Sequence, residues 1–251
     1  MENNQHNPAI RTSGLHKAFG EQIVLNNVSL TVERGKTLLV LGRSGTGKSV
    51  LLKLLIGLQQ PDNGEIEING AKITTLPLND LNQLRKKIGF LFQNAALYDS
   101  LTVEENVAFP IRRHLKMSND ERQARVRELL ARVGMEDALK KMPANISGGM
   151  KKRVGLARAL ALDPEIMLLD EPNAGLDPIT AAEIDELIRD LQQERGITSI
   201  VVTHDMRSVQ TVADRVALLN KGSIVIDGTP EDLKQSDDPF VVSFMQEKRE
   251  E

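Results

Sequence analysis

An α/β fold, expected to be soluble, is predicted by three observations on the 251-residue sequence. The composition, 40% hydrophobic and 27% charged, is ordinary for a globular chain and excludes a wholly disordered or membrane-embedded one. The apolar run "TLLVL", Thr37 to Leu41, leads through a glycine-rich stretch into "VLLKLLIGL", whose leucine density reads as a helix packed on a sheet. The same alternation returns later, where "EIMLL", a helix over Asp177 to Arg195 and the strand "TSIVVT" follow in order.

Before "TLLVL", the alternation of Val28, Leu30 and Val32, punctuated by Gly20 and Gly35, predicts short strands. From about Asn94 to Asp163 the β signals fade and a helical insert begins with the loop-like "NAALYDSLT". One helix there is well marked: Ser118 and Glu121 form a capping box, and Val126, Leu129, Leu130 and Val133 share a face. In the later helix Asp177 caps, Pro178 suits the first turn, and Ile184, Leu187, Ile188 and Leu191 line one side. "RVALLNKGSIVIDG" reads as a hairpin turning at Lys221 and Gly222. The tail from Lys234 is polar apart from "PFVVSFM", which could pack on the chain or dock elsewhere.

Several classes are excluded or made unexpected. The apolar runs fall short of the roughly 20 residues that cross a bilayer, and "MENNQHNPAI" lacks the basic flank and apolar centre of a secretory signal, so the protein is expected to stay where it is made. The absence of cysteine rules out disulfides and thiolate metal sites. A formal charge of −3 gives no global attraction to nucleic acid or anionic lipid. The short basic groups "RKK" (Arg85 to Lys87), "RRHLK" (Arg112 to Lys116) and "KKR" (Lys151 to Arg153) read as solvated helix faces.

The chemistry begins with "GRSGTGKS", Gly42 to Ser49, which fits the phosphate-loop pattern G-x-x-x-x-G-K-[ST] between a predicted strand and helix. Gly42, Gly45 and Gly47 let the loop wrap a phosphate chain with its amides pointing inward. Lys48 can reach the β- and γ-phosphates, Ser49 can ligate Mg²⁺, and the helix offers its positive end. "IMLLDEP" delivers Asp170 and Glu171 together at the end of a buried strand. Asp170 would hold Mg²⁺ through water, and Glu171 would act as general base on the attacking water. His204, closing "TSIVVT", gains a γ-phosphate role only by its predicted convergence with Lys48 and Glu171. Gln93, after "KIGFLF", could reach the metal or the water.

"ISGGMKKRVGLARAL" is a second helix start, with Ser147 as N-cap followed by Gly148 and Gly149. It makes a second anion site in a chain with one nucleotide loop. Dimerisation resolves the mismatch, each nucleotide being clamped between the loop of one subunit and Ser147 of the other.

The phosphate loop, Gln93, "ISGGM", "IMLLDEP", "AGLD" and His204, in this order over nearly the whole chain, resemble the ATP-binding subunits of ABC transporters. The resemblance implies a RecA-like P-loop ATPase core with an antiparallel β subdomain and an inserted helical subdomain. The core would comprise residues 8–93 and 164–233, the helical subdomain residues 94–163, and the tail residues 234–251. It also implies ATP and Mg²⁺ as ligands, a head-to-tail homodimer, and a membrane-embedded permease. Gly42, Arg43, Ser44, Gly45, Thr46, Gly47, Lys48, Ser49 and Val50 would hold the nucleotide with Phe19 stacked on adenine; Ser147, Gly148 and Gly149 would close on it. Ser49, Gln93 and Asp170 would surround the metal, Lys48, Gln93, Glu171 and His204 would act in catalysis, and Asp177 would communicate across the dimer.

Met150 departs from the family, which mostly carries Gln there; the exchange removes amide donors but leaves the helix-start amides intact. "LSGGM"-type signatures followed by basic residues look like the Mla branch, which serves phospholipid-transport permeases working with MCE proteins. "GFLFQNAALYDSLTVEENVAFPIR", "MPANISGGMKKRVGLARAL" and "DEPNAGLDPIT" agree with it. That branch implies a peripheral place on the cytoplasmic face of the inner membrane, an MCE lipid-binding partner and a small accessory subunit. The surface after Gln93, including Leu97 to Val103, would grip a permease helix. The alternatives are an importer of small polar solutes, a lipoprotein-release ATPase, or a non-transport ABC ATPase acting on nucleic acid, a class usually marked by coiled coils, a second cassette or basic surfaces.

Overall fold

In a computed structural model that describes residues 8–250, the chain folds around two sheets. Most of "MENNQHNPAI", and Glu251 of the tail, lie outside the described residues. The elements run β1 (Ile10–Phe19), β2 (Gln22–Val32), β3 (Thr37–Leu41), α1 (Lys48–Leu55), β4 (Asn63–Ile68), β5 (Ala71–Lys72), α2 (Leu78–Arg85) and β6 (Ile88–Leu91). Next come α3 (Val103–His114), α4 (Asn119–Arg132), α5 (Gly148–Ala159), β7 (Ile166–Asp170), α6 (Pro178–Arg195) and β8 (Thr198–Thr203). The chain continues through α7 (Arg207–Val212), β9 (Arg215–Asn220), β10 (Ser223–Gly228), α8 (Pro230–Lys234) and α9 (Pro239–Glu250).

The larger sheet has the order β10-β9-β3-β8-β7-β6 and is parallel except at β10; the smaller, β2-β1-β4-β5, is antiparallel. Strand periodicity sorts the core. Leu38 and Val40 of β3 face a layer formed by the antiparallel sheet and the Leu51, Leu52, Leu54 and Leu55 ridge of α1. Leu39 and Leu41 face the opposite layer, which runs on through Val107, Leu129 and Val154 of the helical insert. The carboxyl ends of β3, β8 and β7 are therefore adjacent, with layers covering both faces behind them, and the crevice outside such ends is where ligands gather in this kind of sheet.

Both expected capping arrangements are present, Ser118 with Glu121 on α4 and Asp177 on α6. The capping box that starts α3, Thr102 with Glu105, was equally written in "TVEE" and marks a helix the sequence reading passed over. Asn106, fully buried on α3, accepts from Tyr98 N and donates to the carbonyls of Tyr98, Leu101 and Thr102, so it pins the loop "NAALYDSLT".

Two of the three basic groups are not simply solvated. Arg85 donates to the carbonyls of Ile56 (2.9 Å) and Gly57 (2.7 Å), closing the C-terminus of α1. Lys152 is 5% exposed and donates to the carbonyls of Gln93 and Glu171. Arg153 bonds Val133 O and pairs with Glu183. Orphan carbonyls at loop and helix ends demand donors, and long cationic side chains supply them. Residues Arg112 to Lys116 are exposed, as expected.

The tail packs on its own chain: Val241 and Phe244 of α9 are fully buried in the layer that contains Leu218 and Leu233. Phe244→Ala should cost about 3–5 kcal/mol, read as a lowered urea midpoint with an unchanged slope; a midpoint equal to that of the parent chain would mean that α9 is not part of the cooperative core.

Candidate ATP site

The phosphate loop bridges β3 and α1 through backbone that only glycine accommodates at two points. Gly47 has φ 103, and a Cβ on it would sit 2.9 Å from Val24 O; one on Gly42 would sit 2.7 Å from Leu219 O. Around the loop lies a cavity of ≈ 390 Å³ lined by Phe19, Val24, Ser44, Gly45, Gly47, Lys48, Ser49, Val50, Gln93 and Glu171. Phe19, at 47% exposure, is an open face at the cavity rather than a core residue.

Charge is concentrated at the back of this cavity. The Lys48 ammonium, 5% exposed, donates to Gly42 O (2.7 Å) and Arg43 O (3.1 Å) and lies 3.1 Å from Glu171 Oε1. The other carboxylate oxygen of Glu171 is 2.8 Å from His204 Nδ1. With Glu171 as a carboxylate, which only accepts, Nδ1–H is the donor of this contact. Ser49 Oγ donates to Asp170 Oδ1 at 2.8 Å. Burial pushes the Asp170 carboxyl up, against the lowering hydrogen bond from Ser49 and with a further upward push from Glu171. A divalent cation would restore the charged form.

The donor chemistry fits Mg²⁺. Among the described residues no group of three or more His, Cys, Asp or Glu could hold a metal alone; Ser49 and Gln93 line the cavity and Asp170 is bonded to Ser49, and all three carry hard oxygen donors that phosphate oxygens would have to supplement. That is how Mg²⁺ is usually held, since it keeps waters and substrate oxygens in its octahedron.

Not every expected residue lines the cavity. Arg43 turns its side chain the other way, pairing with Glu247 of α9 at 2.6 Å and lying over the Phe240 ring, so only its backbone belongs to the loop. Thr46 Oγ1 closes the loop internally on Arg43 O. Ser147, Gly148 and Gly149 stand at a separate place, the start of α5. There Ser147 Oγ accepts from Met150 N, and Gly149 is required because a Cβ would meet Thr180 Cγ2 at 2.6 Å. The start of α5 is thereby packed on the start of α6, where Asp177 accepts from Ile179 N, Thr180 N and Thr180 Oγ1, bonds that hold its carboxyl below the usual range.

The sequence reading missed a buried polar knot behind this corner. Asn173 Nδ2 donates to Asp185 Oδ1 (2.7 Å) and Ser208 Oγ (3.1 Å), tying the loop after Glu171 to α6 and α7. Its signal was available: Asp185 falls on the Ala181, Ile184, Ile188 stripe, where an unpaired acid would be costly. Burial pushes the Asp185 carboxyl up.

Met150 is half-buried with its thioether against the larger core layer, a contact that accounts for a thioether at this position independently of any ligand. Met150→Gln should lower stability by about 1 kcal/mol and leave ATP affinity nearly unchanged. A clear gain in affinity, measured by titration with a fluorescent ATP analogue, would contradict this packing role.

Comparison with known proteins bears on the family and the fold. A family profile described as "ABC transporter" matches residues 25–174. The probable ribonucleotide transport ATP-binding protein mkl of Mycobacterium bovis is 43% identical over 241 residues, 96% of this chain and 67% of that protein. The methionine import ATP-binding protein MetN of Rhizobium johnstonii is 44% identical over 219 residues, 87% of this chain and 60% of that protein. The chain thus spans about two thirds or less of these relatives. Among solved structures, the dimeric ATP-binding cassette MJ0796 in a post-hydrolysis state bound to ADP and Pi has a TM-score of 0.82 at 34% identity, covering 88% of this chain and 98% of that one. CbiO1 of Clostridium perfringens, part of the cbiONQ transporter complex, has a TM-score of 0.83 at 29% identity over 96% and 100% of the two chains. With this fold, this profile and these relatives, the chain belongs to the ABC transporter family, as an ATP-binding cassette of the P-loop type and an ATPase.

Proposed function

We propose that this cassette hydrolyses ATP to drive phospholipid transport between membranes through a separate permease. The convergence of Lys48, Glu171 and His204 beside the Ser49–Asp170 pair carries the catalytic part. Glu171 accepts a proton as water attacks the γ-phosphorus and the bond to the ADP oxygen breaks. Lys48 and the loop amides hold the β- and γ-phosphates, His204 contacts the γ-phosphate, and Phe19 stacks on adenine. Ser49, Asp170 and Gln93 would hold Mg²⁺, which would neutralise phosphate charge when bound. Ser147, Gly148 and Gly149 contact the nucleotide of a second copy, and Asp177 stands at the seam between the two.

The core, residues 8–93 and 164–233, generates the motion, and the lobe of residues 94–163 delivers it. Beside Gln93 an apolar groove of ≈ 470 Å³, with Phe90, Phe92, Tyr98, Phe109, Pro110 and Leu162 among its walls, suits a helix of the permease. This corrects the extent expected for the gripping surface, since Val103 is fully buried in the core and Asn106 ties the loop inward. Among the described residues no helix is long and apolar enough to cross a membrane. We place the cassette at the cytoplasmic face of the inner membrane, with an MCE-domain lipid-binding protein and a small accessory subunit in the same assembly and with no role on nucleic acid.

The lipid substrate rests on the "ISGGM" signature with its flanking stretches. The roles for which these relatives are named, ribonucleotide transport and methionine import, favour the second reading, an importer of small polar solutes. Reconstituted with its permease, the cassette should move labelled phospholipid between donor and acceptor vesicles only with ATP; ATPase stimulation by methionine or ribonucleotide and no lipid movement would establish the second reading instead. Glu171→Gln should retain ATP binding, lose about 10²–10⁴-fold in turnover, and accumulate as an ATP-bound dimer on size exclusion. Normal turnover would remove Glu171 from the base role.

A further inference from the structure

Lys152 is a buried cation in a place where sequence pattern puts a solvated one. It lies in the second turn of α5, 5% exposed, and its ammonium donates to the backbone carbonyls of Gln93 and Glu171, the latter at 2.7 Å. Burial pushes its pKa down to about 8, against the upward pull of Asp170 and Glu171. A lysine is taken out of water at that cost only where it has fixed partners.

Those partners are the backbones that carry the proposed base and the proposed metal-side glutamine. Glu171 has φ 47, a left-handed conformation that non-glycine residues adopt only when their surroundings hold them there. Its amide donates to Val202 O at 2.9 Å, and its carbonyl accepts from Ala174 N at 3.2 Å and, more closely, from Lys152. From this backbone the Glu171 carboxylate meets Lys48 and His204. On the other side α5 is fastened again to the segment after Gln93, where Arg158 donates to the carbonyls of Ala95 and Ala96, both also at positive φ. The helix that begins at Ser147 therefore holds both strained segments from one rigid body.

We propose that Lys152 is the positioning residue that fixes the backbones of Glu171 and Gln93 to the helix starting at Ser147, so that the base and the glutamine move with the surface that meets the second nucleotide. The proposal rests on the reading of Glu171 as base and Ser147 as phosphate contact given above. Lys152 touches no reacting atom; it acts through the main chain of residues that do.

The test uses the full chain with Lys152→Met, which keeps length without donors, and Lys152→Gln, which is shorter but keeps N–H donors. Steady-state ATPase, titration with a fluorescent ATP analogue and melting temperature are measured together. Turnover should fall in the order parent, Lys152→Gln, Lys152→Met, by roughly 10- to 100-fold for the last, while KM and ATP affinity stay within about threefold. In a Glu171→Gln background, Lys152→Met should lower the residual rate by less than it lowers the parent's, because the part of the loss that runs through Glu171 is already gone. Near-normal turnover of Lys152→Met, or a full additional loss on top of Glu171→Gln, overturns the proposal. If Lys152→Met does not fold, Lys152→Gln alone carries the test: lowered turnover at constant KM supports it, and a change confined to KM or melting temperature overturns it. Normal turnover of Glu171→Gln itself would instead overturn the base reading, and the positioning role with it.

Discussion

The buried contact between Lys48 and Glu171 is the constraint on which the rest of the site depends. It joins the start of α1, which follows β3 through the phosphate loop, to the residue that follows β7, two strands that β8 separates. His204 follows the middle strand and meets the same carboxylate from between them. Shifting β8 out of that order would part all three groups, whatever the local motifs.

Placing so much charge in one crevice is not a stability device. Lys48, Lys152, Asp170 and Glu171 are all buried, and taking such groups out of water costs several kcal/mol each before their mutual attraction is counted. The arrangement is tolerated because opposite charges alternate, and because carbonyls of Gly42, Arg43, Gln93 and Glu171 occupy the remaining lysine donors. It also leaves the crevice ready for a highly charged ligand: an incoming triphosphate with Mg²⁺ exchanges one set of ion pairs for another within a polar environment already oriented. The raised Asp170 pKa belongs to the same picture, a carboxyl held partly against its charge by burial.

Most of the architecture was legible in the sequence where pattern and period agree. Val28, Leu30 and Val32, the run "TLLVL", the capping box at Ser118 and the cap at Asp177 all lie in the elements that local rules assign them. The glycine loop and the Asp170–Glu171 pair were visible because backbone approach to phosphate and paired carboxylates at a strand end each need particular residue types at fixed spacing. What stayed hidden were long side chains whose partners are distant backbone atoms. Arg85, Lys152 and Arg158 look like surface charge in a linear pattern, yet each bonds carbonyls of residues far away in sequence. Asn106 and Asp185 gave weaker signals, polar residues set on apolar helical faces. In the tail, "PFVVSFM" leaves packing on the chain and docking elsewhere equally open, because two aromatic residues in a short apolar stretch do not say which surface will cover them.

The sequence by itself determined the elements, the phosphate loop and the residue types of the site, since these follow from period, caps and glycine conformations that act over a few residues. Tertiary structure alone decided that Arg43 points to α9 rather than to the loop's interior, that Val103 is sealed in the core, that Met150 packs against the larger core layer, and that Lys152 grips the backbone of Glu171. Those outcomes depend on which surfaces meet. A flexible side chain takes the nearest unsatisfied carbonyl, carboxylate or apolar patch, and which one is nearest is settled only when the sheet order and the docking of the helices are complete.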